Sequence, residues 1–147
     1  MARPSPAARL YSPGLLALAA ELSAYPLDPA LPLRAEARSR SCGSVIALGL
    51  ACDGAGLVER IGMMVSACAI GQASAALMAR GAIGQGAAAI TATGAQLAAW
   101  LGGDAPLPDW PGLAALAPAR EHPGRHEALL LPWKAAAQAL SCQAAGG

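Results

Sequence analysis

The stretch Arg34–Val65, RAEARSRSCGSVIALGLACDGAGLVERIGMMV, decides the fold. Its first part alternates strictly, with Arg34, Glu36, Arg38 and Arg40 on one face and Ala35, Ala37, Ser39 and Ser41 on the other. That is the period-two pattern of a strand with one wet side. Val45 to Ala51 reads as a second strand, in which Ile46, Leu48 and Leu50 share a face, and Leu57 to Val65 as a third, with Ile61, Met63 and Val65 pointing one way. Between them, CDGAG (Cys52 to Gly56) carries the Asp-Gly chemistry of a hairpin turn. Cys42 then falls where the first strand gives way to the second, and Cys68 just after the third.

The flanks read as helices. Ser12 to Leu22 is a short one, with Ser12 as N-cap and Pro13 in the first turn, and YPLDPALP (Tyr25 to Pro32) stops it as a linker. After the strands come helices at about Ile70–Arg80 and Gln85–Leu101, a Pro/Gly loop, a short helix at Leu113–Leu116 and a last helix at about Leu131–Leu140. Pro132 fits that last helix only in its first turn. Three antiparallel strands followed by helices predict an α+β fold, a three-stranded antiparallel sheet with helices packed on its Ile46/Leu48/Leu50 face. A length of 147 residues suits a single domain, with residues 1–10 and 141–147 as flexible tails.

Composition narrows the function. The formal net charge is +1 with no strongly basic run, which argues against nucleic acid as a partner. Between Ile61 and Gly103 the only charge is Arg80. Gly81–Gly103 is long enough to span a membrane, but it contains Gln85, Thr91, Thr93 and Gln96, and its Ile83, Ile90, Leu97 and Leu101 fall on one helical face. A helix packed on a water-soluble core has that pattern. The start of the chain, with Arg3, Arg9 and GLLALAAELSA, faintly resembles a secretion signal. The apolar run is short and broken by Glu21, so a cytoplasmic protein is the expectation. The four cysteines could form two disulfides, but a chain of this size does not need them.

Cys68 lies in VSACAIGQASAALM (Val65 to Met78), among small residues just before a helix. A free cysteine there is either a small buried hydrophobe or a thiolate favoured by the unpaired N–H groups of the helix N-terminus. SCGS (Ser41 to Ser44) resembles the Cys-Gly-Asp motif of the IscU/SufU/NifU N-terminal-type iron–sulfur cluster assembly scaffolds, and CAIGQASAALM (Cys68 to Met78) resembles their second motif. GRHEALLLPWKAAAQAL (Gly124 to Leu140) resembles the third, in which a cysteine precedes Leu-x-Trp-Lys-Ala, and Tyr11-Ser12 also fits. The resemblance spans Tyr11 to Leu140.

The resemblance implies a scaffold or sulfur acceptor that binds iron, an iron–sulfur cluster or zinc through Cys42 and Cys68. Its implied partners are a cysteine desulfurase and proteins that receive clusters. Two ligand positions depart from the family: Ser44 stands at the Asp position and Ala128 at that of the third cysteine. Structural zinc and cluster iron normally take four ligands. Glu127 and His126 could complete a mixed set, a homodimer could share a cluster through four thiolates, or the chain is a metal-free paralogue acting as a protein-interaction module. A thiol hydrolase with Cys68 as nucleophile and His126 or His122 as base is a further alternative. Cys52 and Cys142 fall outside the family's ligand positions, Cys52 reading as packing and Cys142 as part of the tail. Cys42 and Cys68 are expected to converge, with residues 126–128 as the third wall.

Overall fold

Alternation over residues 34–65 becomes a sheet of three antiparallel strands, β1 (Leu33–Arg38), β2 (Val45–Cys52) and β3 (Val58–Ser66), in the order β1-β2-β3. The register aligns Ala37–Ile46–Val65, Ala35–Leu48–Met63 and Leu33–Leu50–Ile61 in three apolar rows on one face. Ile46, Leu48, Leu50 and Met63 are buried there in one core with residues of the helices. The computed structural model describes residues 10–146, with side chains through Ser141. Residues 1–9 and 147 of the expected tails, and the Cys142 side chain, lie outside the described residues. Leu10 is buried in the core.

The hairpin between β2 and β3 forms where the Asp-Gly signal lies, but with different turn chemistry. Asp53 C=O accepts from Gly56 N–H, Asp53 Oδ1 accepts from Ala55 N–H and Leu57 N–H, and the positive φ (+83°) belongs to Gly56. This is a three-residue loop whose last residue is left-handed, the role that suits glycine.

The expected linker does more than connect. Tyr25 C=O accepts from Met63 N–H, and Pro26 pairs with Met63 along the edge of β3. The chain then crosses the outer face of the sheet to β1, over the row Arg34–Gly49–Gly62. A Cβ on Gly62 would overlap the Pro26 carbonyl oxygen, and one on Gly49 would stand 2.9 Å from Leu31 Cβ. Leu31 is accordingly buried, and Arg60 holds Asp28 of this strap at 2.6 Å.

Four helices complete the described fold: α1 (Pro13–Ala20), α2 (Ala69–Ala82), α3 (Ala87–Leu101) and α4 (His126–Gly146), with 3-10 segments at Glu21–Ala24, Leu113–Glu121 and Pro123–Arg125. Ser12 caps α1 as the sequence predicts, its Oγ accepting from Leu15 N–H. Helix α2 is buried on nearly every side, which its Gly and Ala residues allow. Gly81 lies flat against the Trp110 ring, and Trp110 Nε1 donates to Leu77 C=O. Trp110 meets Trp133 edge to face at 4.9 Å, and Trp133 Nε1 donates to Ser74 Oγ, which donates to Leu129 C=O.

Two helical expectations change. Ile83 is not on the face of a helix with Ile90. It lies between α2 and α3 and is exposed, because that loop turns back to pair with Val58. Helix α4 begins at His126, not Leu131, so Pro132 lies inside it. A proline there leaves the Ala128 carbonyl without its helical donor. The neighbouring Leu129 carbonyl receives the Ser74 hydroxyl from α2, so packing against α2 supports the helix at this point.

Two stability tests follow from the strap and the Ser74 bridge. Gly62→Ala is expected to destabilise by about 1–3 kcal/mol through overpacking, whereas Gly54→Ala, in open space, shifts the denaturation midpoint little. Equal midpoints would mean the strap does not press on the sheet. Ser74→Ala leaves the Trp133 N–H buried and unpaired and is expected to cost about 1–3 kcal/mol by urea denaturation.

Candidate functional site

Strand β1 stops at Arg38, short of the expected Ser41, because the next residues close a loop. Ser39 N–H donates to Ser44 C=O at 2.9 Å, and Gly43 takes a positive φ of +71°. Within this loop Cys42 N–H donates to Ser39 Oγ. The Cys42 Sγ lies 2.7 Å from Ser39 Oγ and 3.0 Å from Ser44 Oγ. Both serines are buried while Cys42 is exposed. The two hydroxyls, Ser39 first, hold the thiol below its ordinary pKa, against slight desolvation and the negative charge of Glu127. A lowered thiol pKa and access to solvent both favour nucleophilic reactivity.

Glu127 reaches this loop from the first turn of α4. Its Oε1 accepts from Arg40 N–H and its Oε2 from the Ser41 hydroxyl, both at 2.6 Å. These bonds, Ser41 first, hold its carboxyl below the usual range. The next residue, Ala128, is buried against the first turn of α2: a Cβ on Gly71 would stand 3.4 Å from Ala128 Cβ and 3.3 Å from its carbonyl oxygen. The start of α4 therefore adjoins both the Cys42 loop and the helix that Cys68 opens.

Cys68 occupies the N-cap position of α2 with extended backbone, and its carbonyl accepts from Gln72 N–H. Its side chain makes no capping bond and packs, partly buried, against the core. Cys52 likewise packs against the core, and burial pushes its thiol above the ordinary range. Cys42, Cys52 and Cys68 are all free thiols. His126 Nε2 bonds the Arg120 carbonyl at 2.9 Å rather than a cysteine.

The donor set does not fit a four-ligand metal or cluster held by one chain. Ala128 offers a methyl group, the Ser44 hydroxyl is engaged with Cys42, both Glu127 oxygens already accept hydrogen bonds, and His126 is turned to a carbonyl. Among the described residues no three His, Cys, Asp or Glu side chains are grouped to hold a metal ion. Ser39 escaped the sequence reading because it continues the alternation of β1. The signal was the serines three residues before and two after Cys42.

Among the described residues no helix is long and apolar enough to cross a membrane. No family model matches the sequence, and no curated protein matches it. Solved structures do. The N-terminal part of a nitrogen-fixing NifU-like protein from Brucella abortus is 27% identical, with a TM-score of 0.86 over 97% of this chain and 100% of that one. A protein assigned as an iron–sulfur cluster assembly scaffold for the SUF system of Fervidobacterium islandicum AW-1 shares the fold at 22% identity, with a TM-score of 0.75 over 90% of this chain and 98% of that one. The three-stranded antiparallel sheet with its helices matches these structures. The chain thus shares the fold of NifU-like N-terminal and SUF scaffold structures, and its resemblance to the first extends over 97% of its length.

Proposed function

We propose that this protein is a sulfur acceptor in iron–sulfur cluster assembly, with Cys42 as the accepting thiol. One observation carries the reading: Cys42 is exposed and gripped by two serine hydroxyls in a loop closed on itself. The likeness to the NifU-like and SUF scaffold structures supplies the pathway. The donor would be the persulfide of a cysteine desulfurase. The Cys42 thiolate attacks the outer sulfur of that persulfide, the donor's S–S bond breaks, and the donor leaves as a thiolate that takes up a proton. Cys42 then carries the persulfide, and no external oxidant is needed. The engaged donor set favours sulfur handling over cluster storage in a single chain, and iron or a cluster would be cargo passed on with recipient proteins.

Incubation with a cysteine desulfurase and cysteine is expected to add sulfur to the Cys42 peptide by mass spectrometry, and Cys42→Ser to abolish it. Sulfur-free Cys42 at full desulfurase turnover would instead favour a metal-free interaction module. The thiol chemistry has its own check. Alkylation needs the thiolate, so the Cys42 rate should rise with pH through a midpoint below an ordinary thiol's, and that of Cys52 through one above it. Ser39→Ala with Ser44→Ala should move the Cys42 midpoint upward.

The substituted ligand positions yield a further test. Ala128 faces the first turn of α2, just past Cys68, so Ala128→Cys together with Ser44→Asp should raise zinc affinity at least about tenfold, or about 1.4 kcal/mol. Competition with a chromogenic chelator under anaerobic conditions measures this. Unchanged affinity would show that these two positions do not limit metal binding.

A further inference from the structure

The loop that carries Cys42 has two sets of hydrogen bonds with different jobs. Ser39 and Ser44 bond one another and the thiol, which fixes the shape of the loop. Nothing in that set fixes where the loop sits relative to the helices. The second set does, and it comes from one side chain far away in sequence. Glu127 receives the Arg40 N–H and the Ser41 O–H, the two residues immediately before Cys42.

We infer that the Glu127 carboxylate is a clamp that ties the Cys42 loop to the start of α4 by hydrogen bonds, where a shared metal would otherwise join the two segments, and so positions the Cys42 thiol. The part about the thiol rests on the sulfur-acceptor reading; the clamp itself does not.

Three features make the clamp specific. Both bonds are short and made to an ionised acceptor, the stronger class of hydrogen bond. The carboxylate lies in the first turn of α4, where the unpaired N–H groups of the helix favour a negative charge. Its backbone is anchored, because Ala128 is buried against Gly71. A third cysteine at position 128 would direct a thiolate toward α2. Alanine there packs instead, and the neighbouring glutamate takes up the connection on the other side. Ser44, Glu127 and Ala128 thus form one rewired set. The hydroxyl of Ser44 serves the sulfur, the carboxylate serves the loop, and the methyl group serves the packing. Each Glu127 oxygen accepts one bond from the loop, which turns the carboxylate toward the loop.

Amide hydrogen exchange followed by NMR on the full chain tests this, in wild type, Glu127→Ala and Glu127→Gln. Glu127→Ala is expected to speed exchange of the Arg40 amide by about tenfold or more while the β2 and β3 amides keep their protection. Glu127→Gln should stay within about threefold of wild type, since its amide oxygen still accepts from Arg40 N–H and its NH2 can donate to Ser41 Oγ. Neither zinc chloride nor EDTA should alter Arg40 exchange in the wild type. Unchanged exchange in Glu127→Ala, a glutamine variant no better than alanine, or protection by zinc that disappears with Glu127 would each overturn the clamp. Sulfur uptake from a desulfurase separates the two readings. A slower uptake at Cys42 in Glu127→Ala that Glu127→Gln restores supports the positioning role. Absent uptake in wild type, with Arg40 exchange responding as described, would remove the sulfur-acceptor function and the positioning of its thiol, and leave the clamp itself standing.

Discussion

Helix α2 is enclosed by its neighbours, and the rest of the fold is built around that enclosure. Ile70, Ala73, Ala75, Ala76, Leu77, Met78, Ala79 and Ala82 are all buried, so the helix contacts protein around most of its circumference. Only small side chains let other backbones come close enough to achieve this at protein packing density. The larger residues of the core are then supplied from outside: Trp110 against Gly81, Trp133 on Ser74, and the apolar face of the sheet. The polar side chain buried on α2, Ser74, is paired with both Trp133 and Leu129. Buried polar groups satisfied in this way rigidify a core, and left unpaired they are costly.

This enclosure also sets up the site. Because α4 is held against α2 through Ser74 and through Ala128 on Gly71, it tolerates Pro132 in its interior and still begins at His126. Its first turn then stands beside both cysteine-bearing segments, with Glu127 facing the Cys42 loop and Ala128 facing α2. The strap over Gly49 and Gly62 does the corresponding work on the other side of the sheet, joining the edge of β3 to β1 and covering an otherwise bare strip of backbone. The Cys42 loop emerges from a sheet that is covered on both faces near its centre.

The two cysteines whose motifs resemble those of the scaffold family have different surroundings. Cys42 is exposed and its charge is favoured by hydroxyls, whereas Cys68 sits half-buried at the head of an apolar helix. The functional reading follows from that difference. A thiol stabilised as thiolate at the surface can exchange sulfur with a docked donor. The Cys68 thiol, at a helix start but without a capping bond, packs against the core instead.

The sequence by itself determined the sheet, the helix order and the family motifs, because these are written in local patterns. Alternation within the three segments between Arg34 and Val65 specifies strands whose apolar faces coincide, and Ser12-Pro13 specifies a helix start within a few residues. What only the tertiary structure decided are the contacts between segments remote in the chain. Glu127 meets Arg40 and Ser41 across 87 and 86 positions, and no local signal announces that pairing. Ser39 reads as one more residue of a strand until the loop closes and turns its hydroxyl to Cys42. Tyr25–Pro32 reads as a linker until Gly49 and Gly62 are seen to make room for it. Pro132 reads as a first-turn residue until packing on α2 carries α4 back to His126. Periodicity reports which way a side chain points relative to its own element. A hydrogen bond or a close backbone approach depends on where a second element has been packed, and that is settled only when the core forms.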